Sequence, residues 1–281
     1  MPPLSASDLS ESSFPARPAA AFFYAVPIGI LGGLIGLGGA EFRLPVLIGP
    51  LGYPARQAVP LNLVVSLVTV AASLGIRGET LTFTPLLPFT AAIIALISGA
   101  VVAAFVGATL GAYLSKTQLE RIILCLLVGI GSALIVEGFL PQDGPGFLPL
   151  ATAWRIGAGI GFGLMIGLVS SLLGVAGGEL IIPTLVFAFG ADIKTAGTAS
   201  LLISLPTVCV GILRYASQGA YAERRTLTQT VAPMGIGSVI GALIGGLLVG
   251  TIPASLLKIG LGIILIISAI RTFRHIRTPH L

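Results

Sequence analysis

Long apolar runs dominate the 281-residue chain, and polar positions are confined to short stretches between them. No Asp, Glu, Lys, Arg or His occurs from Thr80 to Ser115, from Thr226 to Leu257, from Gln57 to Ile76 or from Pro18 to Ala40. A helix crosses a bilayer with about 20 such residues, so each run has room for one. The runs are continuous, whereas the strands of a membrane barrel alternate over about 10 residues between lipid and lumen. The pattern therefore predicts an all-α polytopic membrane protein. Its spans fall near 20–51, 57–76, 84–113 and 119–140, and again near 157–190, 197–213, 229–250 and 257–272. That makes about eight crossings.

The second set of spans repeats the first. A shift of 138 residues lays Ile28–Gly52 over Ile166–Gly190 without a gap and matches nine of 25 positions, among them Gly36 with Gly174, Gly39 with Gly177, Glu41 with Glu179 and Pro45 with Pro183. The register continues through Ala58 and Ala196, Ser66 and Ser204, and Thr69 and Thr207. The chain is thus expected to divide into a polar tail (1–19), a first repeat (20–140), a connecting loop (141–156), a second repeat (157–272) and a basic tail (273–281). The first segment of each repeat is the odd one. Straight helix over 20–51 would be about 48 Å long, too long for one crossing of a roughly 30 Å core and too short for two. A break at the glycines resolves this, and paired glycine-interrupted segments are the sequence pattern of secondary transporters. Whether the repeats run parallel or inverted depends on whether the broken segment crosses or turns back.

Composition narrows the function classes. Only 9% of residues are charged and 55% are hydrophobic, with a mean hydropathy of +1.06, which excludes a soluble globular protein. The net charge of +5 resides in short loops and the tail, so the expected surroundings are membrane lipid and no nucleic acid. Arg271, Arg274, His275 and Arg277 share a face with Arg214, Arg224 and Arg225, two crossings earlier. The positive-inside rule makes that face, and the C-terminus, cytoplasmic, in a multi-pass protein of the inner (cytoplasmic) membrane. The N-terminal segment carries Asp8 and Glu11 and lacks the basic start of a cleaved signal. Cys125 and Cys209 have no CxxC or His partner, so neither a metal site nor a disulfide is expected. No cofactor is implied, no P-loop occurs, and no paired histidines or nucleophile with a base mark an enzyme. The small-residue ridges at Gly99, Ala103, Gly107 and Gly111, and at Gly237, Gly241 and Gly245, fit internal packing and equally a homodimer.

Glu41, Arg43 and Glu179 are the charges that fall deep in apolar sequence, and they flank the two breaks, GLGGAE (Gly36, Gly38, Gly39, Ala40, Glu41) and GVAGGE (Gly174, Gly177, Gly178, Glu179). An intramembrane charge is by default functional. Irregular backbone at that depth is tolerated only when buried or lining a cavity, so a small anionic substrate is placed at the breaks. The glutamates either cap the half-helices or carry protons with the anion. Arg43 has no counterpart, because Ile181 occupies its place in the second repeat; it is an anion contact or a snorkelling anchor. Asn62 and Ser200 coincide under the shift and either bind oxyanion oxygens or join helices.

With Pro45 and Pro183 closing both breaks, the chain resembles the sulfite exporter TauE/SafE family, also called the toluene-sulfonate uptake permeases, over nearly its whole length. The resemblance implies a membrane permease for sulfite, sulfonates and related small anions, with Gly36, Gly39, Gly174, Gly177, Gly178, Pro45 and Pro183 along the path. The chain departs from the usual GxGGG break by placing Glu directly after it, and Arg43 before Pro45. The expectation is a secondary transporter of a small sulfur-containing anion, proton-coupled through Glu41 and Glu179. The alternatives are a cation or metal-ion transporter using the two glutamates, and a membrane scaffold that transports nothing.

Overall fold

The computed structural model describes residues 17–35, 39–80, 84–140, 146–149, 151–248 and 253–273. These are helical, with no strand among the described residues. In chain order the helices are α1 (Pro18–Ile35), α2 (Ala40–Ile48), α3 (Ala55–Thr80), α4 (Thr90–Tyr113), α5 (Lys116–Phe139), α6 (Thr152–Leu173), α7 (Gly178–Pro183), α8 (Ile193–Ser217), α9 (Arg224–Thr226), α10 (Ala232–Leu247) and α11 (Ala254–Thr272). A 3-10 turn, Thr84–Phe89, leads into α4, and single π turns continue α7 through Ala188 and join α9 to α10. Among the described residues, six helical stretches are long and apolar enough to cross a membrane: Ala55–Gly75, Thr84–Tyr113, Lys116–Phe139, Thr152–Leu173, Lys194–Ser217 and Arg224–Gly245.

Lipid-facing helices need no apolar face to drive association, so close backbone approach replaces it. In α4 the small residues Ala92, Ala95, Gly99, Ala103, Gly107 and Gly111 point inward, while Ile94, Val102, Phe105 and Val106 stand exposed. This inverts the soluble-helix rule. The inward ridge packs on α6, where a side chain at Gly163 would strike Leu96 and Ala100, and one at Gly107 would strike Ser171. The order of contacts, Ala92 and Ala95 beside Gly159, then Ala100 beside Gly167, makes α4 and α6 parallel. Packing of α1 on α10 follows the same rule, with Phe22 beside Gly237 and Val26 beside Gly241, again parallel.

α5 and α11 run antiparallel, crossing closely at Gly131 and Gly262. The start of α3 meets the end of α8, where Leu63 packs on Gly211 and Tyr221 donates to the Pro60 carbonyl at 3.1 Å. The ends of α4 and α8 lie together, since Arg214 Nε donates to Thr109 Oγ1 at 2.8 Å. α6 and α8 therefore run in the same direction, and the segment between them must come back. α7 does this: Gly177 lies beside Ile166 and Ser170, while the Phe189 carbonyl accepts from Arg155 Nη2 at 2.6 Å near the start of α6. The α6–α7 pair is a hairpin whose tip is Gly174–Gly177.

Candidate functional site

The hairpin tip is built by backbone chemistry. α6 stops at Gly174, which caps it in the left-handed region (φ 67°), and α7 starts from Gly177, also left-handed (φ 84°). A Cβ at Gly174 would collide with the Val59 carbonyl of α3, so the tip sits against that helix. Ser170 Oγ reaches over to donate to the Val175 carbonyl at 2.5 Å. Gly39, the equivalent of Gly177, likewise precedes α2 in the left-handed region (φ 65°). Gly36 and Gly38 lie outside the described residues.

Prolines shape both short helices in the same way. Proline has no N–H to give the carbonyl four residues earlier. Pro45 therefore leaves the Glu41 carbonyl, and Pro183 the Glu179 carbonyl, without its usual helical donor. In both short helices, carboxylate and main-chain oxygen of one residue are thus available for other partners.

Side chains of α3 then join the start of α2 to the α6–α7 tip. Asn62 Nδ2 donates to the Ala40 carbonyl at 2.9 Å, and Ser66 Oγ lies 3.4 Å from the Gly174 carbonyl, one helical turn further along. Arg43 fills the space between and is fully buried. Its Nε donates to Asn62 Oδ1 at 3.2 Å, its Nη2 to Ser66 Oγ at 3.1 Å, and its Nη1 to Ser238 Oγ of α10 at 3.3 Å. Arg43 is thus held inside the fold, with Asn62, Ser66 and Ser238 as acceptors among the described residues, and does not snorkel to an interface. In this position it faces Glu41 and Glu179 electrostatically.

Glu41 and Glu179 are both buried and within electrostatic reach of each other. None of their four carboxylate oxygens has a hydrogen-bond partner among the described residues. Burying an ionised carboxylate without partners is costly, so the pair requires protons, a cation or a ligand donor. Among the described residues no group of three His, Cys, Asp or Glu comes together.

The remaining residues singled out by sequence are placed as follows. Gly178 is buried beside Glu179. Ser200 is buried on α8, the helix that packs on α7, and its hydroxyl donates to the Gly197 carbonyl of its own helix at 2.9 Å. Pattern reasoning placed only Glu41, Arg43 and Glu179 deep in the fold. Glu120, Glu137 and Lys258 are buried too, with Lys258 Nζ 2.5 Å from Glu137 Oε1. They lie near the ends of apolar runs, where sequence alone reads an interface. Ser238 was also missed; it is a small polar residue inside a glycine ridge, 195 residues from Arg43.

A family model described as Sulfite exporter TauE/SafE matches residues 5–134 and 159–280 of the chain. No curated protein and no solved structure matches it.

Proposed function

That the chain belongs to the sulfite exporter TauE/SafE family is the premise, and from it we propose a secondary transporter that carries a small sulfur-containing anion, such as sulfite or an organosulfonate, together with protons on Glu41 and Glu179. The observation that carries this reading is the junction of the two tips. One buried cation, Arg43, sits among hydroxyl and amide groups, beside two buried carboxyls whose oxygens have no hydrogen-bond partner among the described residues. With both glutamates ionised the junction carries a net negative charge and repels an anion. With both protonated, the charge of Arg43 remains and attracts one. Binding of anion and binding of protons are then linked by the same Coulomb energy.

An inverted repeat gives this site its place. Under the 138-residue shift the α1–α10 pair becomes the α6–α4 pair, while α3–α8 and α5–α11 map onto themselves, and all four pairs are among those that pack together. α1 follows α10, which runs opposite to α8 across the short 218–223 loop, so α1 and α6 enter from opposite faces. Counting α1 and α11 with the six long apolar stretches makes eight crossings, with α2 and α7 as the returning arms of two hairpins. The face that carries Arg56, Lys116, Arg121, Arg214, Arg224, Arg225 and Arg271 is cytoplasmic by the positive-inside rule, and the start of α1 and the end of α11 lie on it.

The test is uptake of labelled sulfite and of a sulfonate into proteoliposomes, with and without an inward proton gradient. The gradient is expected to accelerate uptake by the native chain and to have no effect on Glu41→Gln or Glu179→Gln. A second reading, a cation held by the two carboxyls and the freed Glu41 and Glu179 carbonyls, is favoured by the same unpartnered oxygens. It predicts that anion uptake is absent and that divalent or sodium ions bind in proportion to the glutamates present.

A further inference from the structure

A cavity of about 780 Å³ opens between the start of α3, the end of α4 and the loop that follows α8. Two arginines line it. Arg56 Nη2 donates to the Leu114 carbonyl. Arg214 Nε donates to Thr109 Oγ1 at 2.8 Å and Nη1 to Ser217 Oγ at 3.5 Å, with the guanidinium 4.7 Å from the Phe105 ring centre. Each guanidinium is fixed by neutral groups at the end of α4. Neither forms an ion pair among the described residues, although Glu223 lines the same cavity.

Two like charges on one concave wall, Arg56 exposed and Arg214 half-buried, direct a positive field into the hollow. The planar N–H edges left over match the paired oxygens of an oxyanion. Gln57 and Gln218, also in the lining, add amide donors. The floor leads inward. Val59 lines the cavity and its carbonyl abuts Gly174 at the hairpin tip, while Tyr215 OH donates to the Ser171 carbonyl at 3.0 Å just before that tip. One turn of α3 separates the cavity from the buried junction.

We propose that this cavity is an oxyanion-capture site, in which Arg56 and Arg214 hold the cargo anion on the cytoplasmic side before it passes Val59 to the junction. The inference rests on the transporter reading, and its test separates the two. In proteoliposomes, initial rates are measured against methanesulfonate concentration on each face. A hydrogen bond to a charged group contributes roughly 1.5–3 kcal/mol, so Arg56→Gln and Arg214→Gln are each expected to raise the half-saturating concentration about tenfold or more on the cytoplasmic face. The maximal rate from that face should stay unchanged.

Binding is read independently of transport. Ala222 is exposed in the cavity lining, so Ala222→Cys, in a chain with Cys125→Ser and Cys209→Ser, reports occupancy through its alkylation rate. Methanesulfonate is expected to slow alkylation when both arginines are present and to have no effect in the Arg56→Gln/Arg214→Gln variant. Protection without transport would sink the transporter reading and leave the capture site standing. Transport without protection overturns the capture site, as would protection seen only with anionic lipid, which would make a lipid phosphate the occupant.

Discussion

Replacing Gly174 by alanine tests the hairpin tip, and Gly52 supplies the matched control. Both glycines occupy the left-handed region, with φ of 67° and 74°. An L-residue there costs about 1–2 kcal/mol, offset by roughly 0.4–1 kcal/mol from the stiffer unfolded chain. Gly52 has no atom within 4 Å of a built Cβ, so its substitution should cost only the remainder, about 0.5–1 kcal/mol. At Gly174 the same Cβ meets the Val59 carbonyl, which belongs to a helix backbone and cannot rotate away. Overpacking of this kind adds about 1–3 kcal/mol, for a total near 2–4 kcal/mol. Thermal unfolding of the purified protein in detergent, followed by loss of the monodisperse peak, reads the difference. Gly174→Ala should melt well below Gly52→Ala. Equal melting of the two variants would refute the tight seat of the tip on α3.

Three further outcomes follow from the same structure. Lys258→Met removes the cation facing the buried Glu137 carboxylate, and breaking a buried pair of this kind costs up to about 3–5 kcal/mol. The double variant Lys258→Met/Glu137→Leu should recover most of that loss in the same melting assay. Asp192 caps α8 by accepting from Lys194 N and Thr195 N, each at 3.0 Å, and its hydrogen bonds, first that of the Thr195 side chain, hold its pKa below the usual carboxylate value. Stability from this charge is present above the unfolded carboxylate range and lost as pH falls through the lowered folded value, so Asp192→Asn should match the native chain only in acid and fall below it near neutrality. Finally, single cysteines at Ser217 and at Thr152 should be labelled by an impermeant reagent from opposite faces of oriented vesicles; labelling from one face would contradict parallel α6 and α8.

Much of this was legible from the chain because its signals are local. Charge-free runs marked several of the helices, and the Gly, Glu and Pro positions marked where α2 and α7 begin, each after a left-handed glycine, Gly39 and Gly177. What escaped was the long-range pairing. Nothing in the pattern of α1 says that it packs on α10 rather than on its neighbours, since glycine ridges fit many partners. Arg43 remained ambiguous for the same reason: among the described residues its environment is assembled from Asn62, Ser66 and Ser238, and only the packing of α10 on α1 brings Ser238 to it. Lys258 and Glu137 were hidden by their positions near helix ends, where antiparallel packing of α5 and α11 buries a pair that separate spans would expose to an interface.

The central claim is that one junction binds an anion and protons together. Its most direct measurement reverses the usual experiment: an inward gradient of methanesulfonate, which stays ionised, is imposed on proteoliposomes with equal pH on both sides, and internal pH is followed. Acidification inside is expected, beyond that of protein-free vesicles, together with its loss in Glu41→Gln/Glu179→Gln. Methanesulfonate entry at an undiminished rate with no change in internal pH would contradict it.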